Sequence, residues 1–203
     1  QYTPTNLVVS VAGNVSHEEV VDALTVSFKE GTSHQPSPMF PVEDGQSAPT
    51  MKLEHRKSDQ AHICIAGKGL SSLHPDRYAL DLLSTVLGEG MSSRLFLELR
   101  ERQGLVYDVH TTSSHLMDCG SLITYAGVEP KNAKKAIQSI LRELHRIKER
   151  VPEEELHKAR EYLKGRLVLR MEDSRSVAAW LGAQELLHDQ VLTVEQVLAK
   201  VDA

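Results

Sequence analysis

Arg100 and Tyr107 are the residues of this sequence whose types and spacing best fit a chemical role. Arg100 lies in the last turn of a predicted helix over residues 92–103, where the helix dipole stabilises a cation. Gly104 then reverses the chain, and Tyr107 falls at the start of the next predicted strand. A guanidinium and a phenol at one rim could hold a peptide carbonyl or a developing oxyanion. Spacing alone, however, favours a surface arginine and a half-buried strand tyrosine.

No complete metal or nucleophile motif accompanies this pair. The ten histidines form neither His-x-x-Glu-His nor His-Glu-x-x-His. His110 and His115 lie five apart in a predicted strand and therefore on opposite faces, while Glu153 and His157 fit an exposed helical pair. The run from Gly88 to Ser93 fits a helix–helix connection, with Gly88 as the C-cap, better than a phosphate loop or a nucleophile elbow. The sequence therefore predicts no metal site, no bound cofactor and no nucleophile within the chain.

Composition argues against two classes of partner. The net charge of −5 repels a phosphate backbone, which argues against nucleic acid. No run approaches the roughly 18–20 apolar residues that a membrane-spanning helix needs. Cys64 and Cys119 are the only cysteines, and both fall in apolar, strand-like runs. We expect two buried, reduced thiols and a cytoplasmic location, with a disulfide between them as the alternative.

Hydrophobic periodicity predicts a domain of paired strands and helices. Residues 30–49 hold four of the eight prolines and no periodic pattern, so we expect a linker there. It separates residues 1–29 from a main domain over residues 50–203, in which strands separated by helices indicate an α+β layered fold. Strands are predicted at residues 6–12, 51–55, 61–67, 106–114 and 121–128. Helices are predicted from Ser16 and at residues 75–87, 92–103, 131–149, 152–171, 175–188 and 193–201.

The segment from Gly90 to Tyr107 resembles a signature of the second half of pitrilysin- and insulinase-family zinc endopeptidases. The branch it resembles is related to mitochondrial processing peptidase. Further segments resemble the family in the same order along the chain, so that the resemblance covers nearly its whole length: Asn6–Val15, Gln60–Leu70, Leu87–Phe96 and Glu155–Gly165. Several matches in order are more specific than any single one, and they favour a functional role for Arg100 and Tyr107.

This resemblance implies a clamshell of two similar α+β halves around a peptide chamber. The family's first half holds zinc through His-x-x-Glu-His and a distal glutamate. The second half lacks zinc and supplies an arginine and a tyrosine that contact substrate, which correspond here to Arg100 and Tyr107. Residues 1–29 would then be the closing strand and helix of the zinc-bearing half, 30–49 the linker, and 50–203 the second half, truncated at its end. The expected fold is a two-layer sandwich of a mostly antiparallel sheet packed against helices.

Two functions remain open, because the zinc-binding residues of the family are absent from this sequence. The chain could be the substrate-binding half of an active peptidase that acts on a peptide or unfolded protein. Zinc is then expected in a missing N-terminal half or on a homologous partner subunit. Alternatively, it could belong to an inactive scaffold or partner subunit. The presence of both Arg100 and Tyr107 favours the active peptidase.

Overall fold

The computed structural model describes residues 6–28, 38–188 and 190–203. The first part of the predicted linker, up to residue 37, lies outside the described residues, and residues 38–49 carry neither helix nor strand. A 3₁₀ turn covers Pro130–Asn132. The longer elements are α1 (His17–Ser27), β1 (Ala61–Lys68), α2 (Arg77–Gly88), a π-helix (Phe96–Arg102), β2 (Val106–His115), β3 (Gly120–Val128), α3 (Ala133–Arg146), α4 (Glu153–Arg170), α5 (Ser174–Leu187) and α6 (Val194–Asp202).

The chain groups into two compact units. The first unit consists of Gln1–Pro41 with Gly165–Ala199, and the second of Val42–Lys164 with Lys200–Ala203. The second unit contains the whole sheet and both residues of the predicted functional pair. The predicted division of the chain into residues 1–29, 30–49 and 50–203 stays a prediction.

The sheet of the second unit has three strands in the order β1-β3-β2, and both neighbouring pairs are antiparallel. The β1–β3 ladder runs from Ala61 opposite Val128 to Lys68 opposite Ser121. A tight connection joins β2 to β3, and in it the amide of Leu116 donates to the carbonyl of Cys119. Because β3 lies in the centre, both of its edges are paired, and it forms the rigid middle of the sheet.

Helices cover one face of this sheet. The helix α2 and the π-helix pack on β2, while α3 packs on β3 and β1. The opposite face carries exposed His62, Cys64 and His110. This arrangement confirms the predicted two-layer α+β sandwich with an antiparallel sheet. The side chains between the layers are apolar and almost fully buried: Leu87, Leu95, Leu99, Leu105, Val106, Val109, Ala126, Val128, Ala136 and Ile140.

A close approach of α2 to β2 explains Gly88. A Cβ at this position would collide with the backbone nitrogen and side chain of Thr111. Gly88 is the last residue of α2 and is not among the glycines with positive φ, so the prediction of a C-cap beyond the helix end was wrong. Glycine is required here because two backbones nearly touch.

Two predicted strands are wrong. In the described residues neither 6–12 nor 51–55 joins a ladder. Val9 and Val11 are 46% and 49% exposed, and Met51 is 90% exposed. Both sequences have a strand-like composition, but a strand also needs a neighbouring edge to satisfy its backbone groups, and composition cannot supply one.

The prediction of two buried cysteines was also wrong. Cys64 is exposed on the open face of β1, and Cys119 is half-buried beside the β2–β3 connection. Both are free thiols. Alternation along β1 places Cys64 on the face that no helix covers, and the apolar run around it gave no indication of which face that would be.

The other predicted helices and strands are confirmed, with ends that shift by a few residues, except that the helix predicted at residues 92–103 contains the π-helix Phe96–Arg102. Side chains cap the starts of two helices. Ser16 Oγ accepts from the amide of Glu19 at 3.4 Å at the start of α1. Thr193 and Gln196 form a reciprocal pair at α6, with distances of 2.8 and 3.3 Å. Local side-chain chemistry therefore fixes where these helices begin.

Candidate functional site

Arg100 lies on a π-helix, where the sequence predicted an ordinary α-helix. The widened turn shows in the bond from the amide of Gln103 to the carbonyl of Glu98, five residues back, at 3.1 Å. The Gln103 side chain closes the same turn by donating to Glu98 Oε1 at 2.7 Å. Its own oxygen accepts from Ser139 Oγ on α3 at 3.2 Å. This network attaches the end of the π-helix to the helical layer. Such widened turns occur frequently at functional sites.

Glu98 is the charged group that stabilises this turn. The Gln103 amide, followed by Arg102 at 3.1 Å, holds the pKa of the Glu98 carboxyl below its usual value. Arg94 lies four residues before Glu98, a spacing that allows an ion pair along one helix, but the structure does not form that pair. Arg94 Nε instead contacts Glu155 Oε2 on α4 at 2.7 Å. The correct partner lies 61 residues along the chain, where spacing on one helix gives no signal.

The Arg100 side chain is exposed and oriented by an aromatic ring. Its Cζ lies 5.2 Å from the centroid of the Phe96 ring, within the range of a cation–π contact. Phe96 itself packs against the buried core. The Phe96 ring therefore contacts one face of the guanidinium, and the guanidinium N–H groups can donate to an acceptor from outside the chain.

Tyr107 lies at a β-bulge. Val106 is opposite Val128 and Asp108 is opposite Gly127, so Tyr107 is the additional residue with no partner on β3. Gly104, with a φ of +58°, makes the preceding reversal that brings the chain from the π-helix into β2. Tyr107 is 57% exposed. A bulge re-aims a side chain and is common beside active sites.

Lys131 lies in the turn that follows β3, at the end of the sheet where Tyr107 lies, and sequence analysis missed it. Its Nζ is 2.8 Å from Glu129 Oε1. This contact with Glu129 raises the pKa of the Lys131 ammonium. The signal that could have identified Lys131 is its position directly after the strand that pairs with β2.

Arg100 and Tyr107 belong to one unit and both side chains are exposed, but they do not touch. In the described part of the chain they make no hydrogen bond or ring contact with each other. Each is held separately, Arg100 by the ring of Phe96 and Tyr107 by the bulge. An acceptor that binds both would have to come from outside the chain. The predicted catalytic role of the pair stays a prediction.

Two segments that resemble the peptidase family meet in the second unit. The ion pair between Arg94 and Glu155 joins the run before the π-helix to α4. Gly90, with a φ of +81°, lies against the ring of Tyr162, which a Cβ would approach to 3.5 Å. The ordered matches in the sequence thus include pairs that lie together in space.

His110 and His115, the two histidines of β2, each have structural partners. His110 stacks on Tyr125 with centroids 4.9 Å apart. His115 lies on the other face, 2.9 Å from Asp81 and 2.6 Å from the carbonyl of Leu70. Over residues 6–28, 38–188 and 190–203, no three His, Cys, Asp or Glu side chains are placed to hold a metal ion. None of the helices in those ranges combines the length and hydropathy needed to cross a bilayer.

Comparison with known proteins identifies relatives over nearly the whole chain. Residues 1–163 match the family model described as the peptidase M16 inactive domain. A Streptomyces coelicolor protein named as an uncharacterized zinc protease is 35% identical over 98% of this chain and 45% of its own length. The chain spans about half the length of the curated relatives it matches.

Solved structures share the fold. A protease from Helicobacter pylori gives a TM-score of 0.71 at 22% identity, covering 94% of this chain and 50% of its own. A chain in Complex III2 from Candida albicans gives 0.76 at 20% identity, covering 94% of this chain and 47% of its own. At these identities the likeness concerns the fold alone.

Proposed function

Because this chain belongs to the peptidase M16 inactive-domain family, we propose that it is the substrate-binding half of a zinc peptidase. In this role it closes one side of a peptide chamber, and Arg100 and Tyr107 contact the substrate near the bond to be cleaved. The substrate is a peptide or an unfolded protein chain. A cytoplasmic location belongs to the same proposal.

The observation that carries this proposal is the local backbone at both residues. Arg100 lies on a π-helix and Tyr107 on a bulge, and each feature interrupts an otherwise regular element. Irregularities of this kind reduce regular hydrogen bonding and concentrate at functional sites. Their occurrence at the two positions that the family resemblance selects supports a shared role.

The chemistry available to this pair is hydrogen-bond donation. Attack on a peptide bond places negative charge on the carbonyl oxygen, and fixed donors stabilise that charge more than they stabilise the substrate. The neutral hydroxyl of Tyr107 donates one such bond. The guanidinium of Arg100 adds a positive charge or holds the neighbouring peptide carbonyl. Neither group needs to transfer a proton in this role.

Zinc is assigned to another part of the peptidase. The described residues offer no set of ligands that fits a zinc ion. We therefore propose that the metal is held by a separate zinc-bearing half, either in the same polypeptide or on a homologous partner subunit. This chain then contributes binding and orientation, and it is inactive without that half.

Turnover by the assembled peptidase tests the proposal. We expect Tyr107→Phe and Arg100→Ala each to lower kcat by about 10²–10³-fold, the usual loss for one oxyanion donor. Zinc content and melting temperature should stay unchanged, because both side chains are exposed. Tyr78→Phe on α2 and Arg150→Ala after α3 remove the same groups elsewhere in this unit, and they should leave turnover near wild type.

The same measurement distinguishes the active peptidase from an inactive scaffold or partner subunit. Near-wild-type turnover in both variants would show that the pair only packs on the surface. Absence of turnover in the wild-type assembly, with full zinc content, would favour the scaffold or partner subunit. The likeness to a chain of Complex III2 concerns the fold and favours neither function.

A further inference from the structure

The strand register places two charged residues at the end of the sheet where Tyr107 lies. Val106 and Val128 form the last pair of the β2–β3 ladder at this end of the sheet. Immediately after Val128 the chain continues through Glu129 into the 3₁₀ turn Pro130–Asn132. The proline fixes the direction of this turn. The ladder and the turn therefore hold Glu129 and Lys131 at the same end of the sheet as the bulged tyrosine.

Lys131 presents an accessible ammonium at this position. Its side chain is 74% exposed, and the Glu129 side chain is 40% exposed. The contact with Glu129 raises the pKa of the Lys131 ammonium, and a lysine with an ordinary or raised pKa carries its charge at neutral pH. An exposed ion pair of this kind contributes little to stability, because water screens both partners. An incoming carboxylate can therefore replace Glu129 without disturbing the fold.

We propose that Lys131 determines specificity by binding a carboxylate of the peptide substrate beside the backbone that Tyr107 holds. This inference rests on the proposed function and adds the substrate class, which is acidic peptides. The carboxylate comes from an Asp or Glu side chain next to the cleaved bond or from a free C-terminus. While no substrate is bound, Glu129 pairs with the ammonium of Lys131 and competes with weaker anions for it. Arg100 is held separately by the ring of Phe96, so the proposal assigns the carboxylate to Lys131.

Peptide affinity provides the test, since it needs no turnover. Fluorescence anisotropy on the assembled, zinc-chelated peptidase would compare peptides that differ only by Glu against Gln beside the cleaved bond. A second pair would differ only by a free against an amidated C-terminus, and the two pairs distinguish the two sources of carboxylate. The wild type should bind the acidic member of one pair up to about fivefold more tightly, as expected for an exposed ion pair.

The variants give a matched series. Lys131→Gln should bring the acidic and neutral peptides to equal affinity, whereas Lys131→Arg should keep the preference. Glu129→Gln should increase the preference, because it removes the competing carboxylate. Lys135→Gln deletes an equal charge from the exposed surface of α3 and should leave the preference unchanged. The preference should also weaken as salt rises.

Three results would overturn this inference. A wild-type protein that binds both members of each pair equally has no such site. A Lys131→Gln variant that keeps the same preference as Lys135→Gln shows that another cation is responsible. In both cases the proposed function stands if Arg100 and Tyr107 variants lose turnover on neutral peptides. Failure to bind any peptide would overturn the specificity role together with the proposed function.

Discussion

The sheet region of the second unit and the segment from Asn6 to Phe28 in the first unit contain similar apolar residues. These residues are buried in the sheet region and largely exposed in the other segment. In the sheet region, Leu87, Leu99 and Val128 are fully buried between the strands and the helices. In the other segment α1 has no buried residue, and Val26 is 76% exposed. The difference does not lie in composition, because both regions are rich in valine and leucine.

A second layer accounts for the difference. Each strand of the sheet has a neighbouring strand and a helix above it, so its apolar side chains leave water. Residues 7–12 alternate between exposed and half-buried positions, and Ser10 lies close to Gly182 of α5. Only one side of this extended segment is therefore covered within its unit. The outward side, with Leu7, Val9 and Val11, has the pattern of a strand that awaits a neighbour.

The largest effect expected from this comparison is a loss of stability when the buried region is truncated. Leu99→Ala should lower the free energy of unfolding by about 2–5 kcal/mol, because it leaves a cavity in a closely packed layer. Val26→Ala on α1 should change it by no more than about 0.5 kcal/mol. Urea unfolding measures both variants. Equal losses would show that the two regions are packed alike.

The sequence predicted the covered region of the chain better than the uncovered segments. Where apolar periodicity coincided with a complete second layer, as in α2, α3 and β3, the elements and the α+β class were predicted correctly. The strands at 6–12 and 51–55 failed because their composition reports a preference for extended backbone. It does not report whether an edge is present to pair with.

The site shows the same limits. Arg100 and Tyr107 were found through spacing and family resemblance, and both lie where that spacing predicted, Arg100 near the end of a helix and Tyr107 at a strand start. The π-helix and the bulge were not predicted, because each depends on how the backbone settles against its neighbours. Lys131 was missed because its position at the same end of the sheet as Tyr107 depends on the register between β2 and β3, which is set by packing across the whole sheet.

A smaller effect is expected from the buried polar contact inside the sheet. Thr111 Oγ1 and Thr124 Oγ1 lie 2.9 Å apart, and both residues are 1% exposed. Thr111→Val leaves the partner hydroxyl buried without a hydrogen bond and should cost about 1–3 kcal/mol. Changing both threonines to valine should restore most of that loss, since no polar group is left unpaired. Thr112→Val on the exposed face is the matched control.

A double-mutant cycle in urea provides the measurement for this pair. Strong coupling between the two substitutions is expected, because each removes the side-chain hydroxyl that the other contacts. Purely additive losses would show that the two hydroxyls do not depend on each other.

The exposed segment should affect the self-association of the chain more than its stability. Unpaired backbone along residues 7–12, flanked by outward valines, favours pairing with another strand edge. We expect residues 1–29 of the isolated chain to be cut early by protease or to pair between molecules. Light scattering should detect the pairing, and Val9→Ser with Val11→Ser should reduce it. A strictly monomeric chain with a protease-resistant N-terminus would contradict this expectation.

The smallest effect concerns a local cap in the same unit as the exposed segment. At the start of α5, Asp173 Oδ2 accepts from the amide of Ser176 at 2.8 Å and from its hydroxyl at 2.7 Å. The Ser176 hydroxyl, followed by its amide, lowers the pKa of the Asp173 carboxyl. Since this pKa is lower in the folded than in the unfolded chain, the carboxylate stabilises the fold above the unfolded value and stops doing so as pH falls through the folded one.

Asp173→Asn should therefore lower the urea midpoint slightly at pH 7, because the amide oxygen caps the helix without a charge. The difference from wild type should shrink as the pH falls below about 4, the ordinary range of an aspartate. Ser176→Ala removes the hydroxyl donor but keeps the amide, so its loss should follow the same pH dependence with smaller size. A difference that persists unchanged to low pH would mean that the substitution acts through packing. The charge of Asp173 would then contribute as little to the stability of this unit as its exposed valines do.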